Sequence, residues 1–125
     1  VHLGFQTCGI GASISALVQI GDLVLIVSGS GETIPAVMTA EIAHNLGAYV
    51  ISITAKKESE IAKYADVTLY IASTCYELKR KKYAPLGTLF EASVWILFDG
   101  IVADLLYSKN ETEEIMRSRH ATLEH

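Results

Sequence analysis

The chain has 125 residues, half of them apolar, which suits one domain with a substantial core. Ten Lys and Arg against 14 Asp and Glu leave a net charge of −4, so the chain as a whole is no electrostatic match for nucleic acid. Cys8 and Cys75 stand far apart, without CxxC spacing. That argues against a zinc site or a disulfide framework and reads as two reduced thiols in a cytoplasmic protein.

The chain opens on Val1-His2-Leu3-Gly4-Phe5, which lacks the basic-then-apolar order of a signal peptide. It reads as the last turn of a helix capped by Gly4, so the domain is expected to begin upstream of Val1. Gln6–Ile10 reads as a short strand, and Ala12–Ile20 as a connector ending in Gly21-Asp22. Leu23–Ser28 (LVLIVS), Tyr49–Thr54 (YVISIT) and Val67–Ile71 (VTLYI) are apolar on both faces. Such runs suit parallel strands covered on each side.

Between the first two strands, Glu32–Leu46 carries Ile34, Met38, Ile42 and Leu46 at intervals of four, with Val37 beside them. This predicts a helix with one apolar stripe toward the core, ended by Gly47. Lys57–Tyr64 reads as a short helix with Ile61 and Tyr64 inward. Alternating strands and helices predict a three-layer α/β/α fold with a doubly wound parallel sheet.

Ala72–Pro85 reads as a long loop carrying the run Lys79-Arg80-Lys81-Lys82, usually a solvated feature but able to attract an anion. The helix Gly87–Tyr107 follows. Its stretch Leu86–Tyr107 is the most hydrophobic in the chain, yet Glu91, Asp99 and Asp104 argue against a membrane span. The helix is apolar nearly all round, from Val94 to Leu106. Its second face needs a cover, and a subunit interface supplies one, so a homodimer or homotetramer is expected. A hinge at Ser108–Asn110 leads to a last short helix, Glu111–Arg119, and a tail ending at His125. Leu123-Glu124-His125 matches the start of a common affinity tag, and His125 is set aside.

The run Ser28-Gly29-Ser30-Gly31-Glu32-Thr33 joins a buried strand to a helix. In open parallel sheets ligands bind beyond the carboxyl ends of strands. There the N–H groups of a helix start converge and its dipole favours an anion. Gly29 and Gly31 permit a tight turn and close approach, while Ser28, Ser30 and Thr33 add neutral donors. A phosphate monoester matches these donors better than a carboxylate. A plain capping turn uses the same residue types. No GK[ST] follows and the spacing is not GxGxxG, which disfavours a nucleotide.

Asp22–Thr33, DLVLIVSGSGET, resembles the signature of the sugar isomerase (SIS) domain family. The resemblance continues through Gly47–Thr54 (GAYVISIT), Ile61–Ile71 (IAKYADVTLYI), Pro85–Glu91 (PLGTLFE) and Met116–Glu124 (MRSRHATLE). PLGTLFE with a terminal RHATLE is similar to the 6-phospho-3-hexuloisomerase branch, which follows hexulose-phosphate synthase in the ribulose monophosphate pathway of formaldehyde assimilation. The resemblance implies a flavodoxin-like sheet resembling order 2-1-3-4-5, with a helix, strand, Ser-containing loop and helix that have no counterpart before Val1. Residues 1–125 are accordingly expected to be one SIS domain lacking its first part. It also implies that the loop holds the phosphate of a phosphosugar through Ser28, Gly29, Ser30, Gly31 and Thr33.

The implied reaction converts D-arabino-hex-3-ulose 6-phosphate to fructose 6-phosphate through an enediol, without metal or redox cofactor. It needs a base at an α-proton and a donor near the carbonyl oxygens. Glu91, amid Leu89, Phe90, Ala92 and Val94 near a helix start, is the candidate base. Burial would raise its pKa and the helix N-terminus would lower it. His120 in RHATLE is the second candidate, implied to act in a site shared between subunits; as a histidine it titrates near neutral pH. Arg117 and Arg119 flank it and are weaker candidates for charge pairing. The alternatives are a non-catalytic phosphosugar-sensing SIS domain of a regulator, or an isomerase of another sugar phosphate.

Overall fold

The computed structural model describes residues 5–9, 17–72 and 77–119. Cys75 and His120 lie outside the described residues. These fall into two compact units: Leu17–Trp95, and residues 5–9 together with the chain from Ile96 onward.

The first unit is built on β1 (Leu23–Val27), β2 (Tyr49–Thr54) and β3 (Val67–Tyr70), within a residue of the sequence expectation at each end. They form one parallel sheet in the order β1-β2-β3, registered Leu25↔Ile51 and Ile51↔Val67. This is the expected α/β architecture. β2 is central, and its Val50, Ser52, Ile53 and Thr54 are fully buried. Burying hydroxyls costs free energy unless they are bonded. Ser52 Oγ therefore meets Thr68 Oγ1 at 2.8 Å, and Thr54 Oγ1 donates to the Lys56 carbonyl. Asp66 starts β3 by a double hold on Val50: its N–H donates to the Val50 carbonyl at 2.8 Å and its Oδ2 accepts the Val50 N–H at 2.7 Å.

The helix after β1, α1 (Ile34–Asn45), turns a different face inward from the one expected. Ala40 and Ala43 are buried, with Ala36 and Val37 packed on the core of Val24, Ile26, Ala48, Val50 and Ile61. Ile34 is 73% exposed and Met38 and Ile42 each 55%. At 100° per residue, positions 36, 40 and 43 share one face and 34, 38 and 42 the opposite one. The alanines win because their small side chains let the helix approach the sheet closely. On β1, Val24 and Ile26 are buried while Leu23, Leu25 and Val27 stay about half exposed, so the strand is covered on one face instead of two. Gly47, at φ +82°, closes α1: its N–H donates to His44 and that of Ala48 to Ala43.

Three further expectations change. Residues 6–9 of the expected Gln6–Ile10 strand form no strand, and Ile10 lies outside the described residues. A strand exists through its ladder, and β1 and β3 pair only with β2 among the described residues. The expected Lys57–Tyr64 helix contracts to a single 3₁₀ turn, Ile61–Lys63. Glu60, just before it, and Ile61, its first residue, donate their N–H groups across to the loop after β1. The basic run lies on a helix, α2 (Glu77–Tyr83), not in a loop. Leu, Lys and Arg are good helix formers, and Pro85 bars continuation beyond.

The long helix α3 (Thr88–Ser108) forms as expected. Its Trp95, Ile96 and Tyr107 are exposed. No helix among the described residues is long and apolar enough to cross a membrane. In the second unit Asn110, at φ 49°, turns the chain out of α3. Thr112 Oγ1 then caps α4 (Glu113–Ser118) by accepting the Ile115 N–H. Six residues make a helix too short to persist by itself. Arg119, beyond its end, grips Glu111, before its start, through two bonds of 2.6 and 3.3 Å. Lys109 Nζ approaches Glu111 at 3.9 Å and sits over the Phe5 ring, 4.4 Å from its centre. The bond from Arg119 is the chief cause holding the Glu111 carboxyl below its usual range.

Two outcomes follow. Ala40→Leu is expected to lower unfolding free energy by about 1–3 kcal/mol through overpacking, whereas Met38→Leu is near neutral; urea unfolding measures both. Glu111 ionises more readily folded than unfolded, so its stabilisation is present above its unfolded pKa and lost as pH falls through the folded value. The stability difference between the parent and Glu111→Gln, read from urea midpoints, should therefore close as pH drops below about 4.

Candidate functional site

The loop Ser28–Thr33 begins as an extension of the sheet. Ser28 donates its N–H to the Ile53 carbonyl at 3.0 Å, and the Gly29 carbonyl accepts from Ala55 at 3.0 Å. The Gly31 carbonyl accepts the Ile61 N–H at 3.1 Å, and Glu32 Oε1 accepts the Glu60 N–H at 3.2 Å. The segment after β2 thus holds the loop along one side.

The hydroxyls close the loop on itself. Ser28 Oγ, on a buried residue, accepts the Gly31 N–H at 3.1 Å and lies 3.1 Å from Thr33 Oγ1. Ser30 Oγ accepts the Glu32 N–H at 3.2 Å. Thr33 occupies the N-cap position of α1, but its side chain makes no capping bond. The plain capping turn is therefore not what forms. Among the described residues, the N–H groups of Gly29, Ser30, Thr33, Ile34 and Ala36 donate to no protein acceptor, and Pro35 has none to offer. These are the orphan donors of a helix start, together with two from the loop.

The two glycines serve different needs. Gly31 has φ +68°, and a Cβ there would overlap Ser59 Cβ and Oγ. Gly29 is not in the left-handed region. A Cβ on it would meet the Phe90 ring, 3.3 Å from Cδ1. Ser59 is in turn fixed by accepting the Ala62 N–H at 3.3 Å. Ser59, Glu60 and Phe90 escaped the sequence reading as supports of this loop. The available signal was a pair of glycines where the turn itself demands one.

Glu91 sits in the first turn of α3, its N–H donating to the Gly87 carbonyl at 3.0 Å. Its side chain is exposed, so the expected burial among apolar neighbours is absent. The helix buries Phe90 and Val94 on one face and turns Glu91 about 100° away from it. His120 lies outside the described residues. Arg117 makes an exposed i,i+4 pair with Glu113 at 3.1 Å, and Arg119 is engaged with Glu111. An open groove of about 510 Å³ beside the loop is lined by Glu32, Lys57, Glu58, Ser59, Glu60, Ala62 and Lys63. Its mixed charge makes it less suited to an anion than the open N–H groups. Among the described residues no group of three His, Cys, Asp or Glu is placed to hold a metal ion, and Cys8 is a free, exposed thiol.

A parallel sheet with a Ser- and Gly-rich loop at the carboxyl end of β1 defines an α/β protein with open backbone donors at a strand-to-helix turn. Residues 9–100 match the SIS domain family. The chain belongs to that family. It is 34% identical to the 3-hexulose-6-phosphate isomerase of Methylomonas aminofaciens and 33% identical to that of Bacillus subtilis. Each match covers 99% of this chain and 69% of the relative. A Methanococcus jannaschii protein, whose crystal structure was reported to infer a molecular function of 3-hexulose-6-phosphate isomerase, superposes with a TM-score of 0.87 at 28% identity. That match covers 98% of this chain and 66% of the other.

Gly31→Ala combines a disfavoured φ with the overlap on Ser59. It is expected to cost on the order of 1–3 kcal/mol, seen as a lower urea midpoint. Ser30→Ala, which removes one exposed bond, should cost under about 1 kcal/mol in the same measurement.

Proposed function

We propose that the protein is a phosphosugar isomerase that interconverts D-arabino-hex-3-ulose 6-phosphate and fructose 6-phosphate. The observation that carries this reading is the set of open N–H groups on Gly29, Ser30, Thr33, Ile34 and Ala36, left uncapped by a loop rich in hydroxyls. Neutral donors converging at a helix start suit a dianionic phosphate monoester, with its several acceptor oxygens. Ser28, Gly29, Ser30, Gly31 and Thr33 are assigned to hold it. Kinship with proteins named 3-hexulose-6-phosphate isomerase supports the choice of sugar.

In the proposed reaction a base removes the C2 proton of the 3-ketose, and the electron pair forms a 2,3-enediolate while the C3 carbonyl oxygen gains charge. The proton returns to C3, the O2 proton passes to O3, and the carbonyl now stands at C2. No atoms are lost and no electrons leave the substrate. Glu91 is assigned the carbon proton in both directions. His120, on the strength of the tail motif, is assigned proton exchange at the oxygens or help in ring opening. Neither step calls on a metal or a redox cofactor. The exposed Trp95, Ile96 and Tyr107 on α3 support a homodimer or homotetramer, and the reduced-thiol reading supports a cytoplasmic location.

The test is a coupled assay of fructose 6-phosphate formation from hexulose 6-phosphate, with arabinose 5-phosphate and sedoheptulose 7-phosphate incubated in parallel and their own isomers sought by NMR. Turnover of the first alone is expected. Glu91→Gln should lower kcat by about a hundred- to ten-thousandfold with phosphate binding retained. Tight binding of phosphosugars without turnover of any would assign the chain to sensing instead.

A further inference from the structure

Phe90, the residue before Glu91, touches the loop that holds the open N–H groups. It is 7% exposed, and its ring lies close enough to Gly29 that an added Cβ would come 3.3 Å from Cδ1 and 3.7 Å from both Cε1 and Cγ. Gly29 has no positive φ to explain its lack of a side chain; the ring explains it. Gly29 is itself anchored through its carbonyl to Ala55, and the loop beyond it through Gly31 to Ile61. On the other side of the contact, Phe90 and Glu91 are consecutive in the first turn of α3, and the Glu91 N–H is bonded to the Gly87 carbonyl. A rigid ring with two side-chain torsions therefore joins an anchored loop to an anchored helix start.

We propose that Phe90 is a positioning residue, its ring seated on the bare backbone of Gly29 so as to set where the Glu91 carboxylate stands relative to the Ser28–Thr33 loop. The inference rests on the isomerase reading above. A sugar held by its phosphate presents C2 and C3 at a set distance from that phosphate, so the base must stand at a matching distance from the loop. Misplacement by about 1 Å is enough to cost on the order of a hundredfold in rate. An apolar spacer fixes the separation without adding a carboxylate that repels the phosphate or a cation that neutralises the base.

The test uses the full chain as parent, Phe90→Leu, Gly29→Ala and the double variant. It measures kcat and KM for hexulose 6-phosphate, the Kd of inorganic phosphate, and the melting temperature. Phe90→Leu is expected to leave phosphate affinity within about twofold while kcat falls about tenfold or more. Gly29→Ala, which displaces the ring from the other side, should also lower kcat. The double variant should regain part of it, because the added methyl fills space that the shorter side chain vacates, a non-additive result expected of residues in contact. A lower melting temperature with kcat intact in Phe90→Leu makes the ring mere packing and overturns the proposal, as do strictly additive losses in the double variant. A parent that fails to isomerise brings down the isomerase reading and this inference with it, a result distinct from an active parent with unaffected variants.

Discussion

The hydrogen-bond ladder between β1 and β2 does not stop where the strands end. Ser28 still pairs with Ile53 and Gly29 with Ala55, and the chain after β2 comes back to bind Gly31 through Ile61. Everything local to the site depends on this continuation. A turn of six small and polar residues has little side-chain packing to order it, and ordering each residue costs about 1–2 kcal/mol of backbone entropy. Bonds from Ala55 and Ile61, beyond β2, to the Gly29 and Gly31 carbonyls help to order it, while the N–H groups of Gly29 and Ser30 stay unspent. Each peptide has one donor and one acceptor, so Gly29 is anchored through its carbonyl with its N–H still to offer.

The same economy governs the helix that follows. Where the sheet needs a close neighbour, the chain supplies Ala36, Ala40 and Ala43, and the bulkier Ile34, Met38 and Ile42 face outward. The loop is short, so the open N–H groups of Ile34 and Ala36 follow those of Gly29 and Ser30 within a few residues of chain. A helix packed through isoleucine and methionine would stand farther from the sheet.

The strands were legible because β-branched runs bounded by Gly and Asp have few other homes, and the loop was legible because its residue types and position agree. What could not be read was direction. A 3.6-residue period marks stripes on α1 without saying which faces inward, and hydrophobicity favours the wrong one when a small stripe fits the space better. Lys57–Glu60 looks helical in isolation, yet Glu60 bonds to Glu32 and Ile61 to Gly31, long-range choices that local pattern does not contain. The basic run was misread for the opposite reason. Its charge suggested a solvated loop, although lysine and arginine are sound helix formers. In the candidate site, Ser28, Ser30 and Thr33 lie in one loop, but their oxygens bond within it, and the backbone carries the open donors. Glu91 was singled out by motif; its exposure depends on which face of α3 carries Phe90.

The missing cap on α1 has a consequence for the protein's persistence. A helix start with unsatisfied donors is less stable than a capped one, by about 1 kcal/mol in typical cases. Any anion seated there stabilises the folded chain in proportion to the logarithm of its concentration over its Kd. Thr33, turned back toward Ser28, leaves those donors open to a bound anion. Under the phosphosugar reading proposed above, the chain would resist unfolding, and the proteolysis that follows it, best when that ligand is plentiful, so that its half-life would follow metabolite supply.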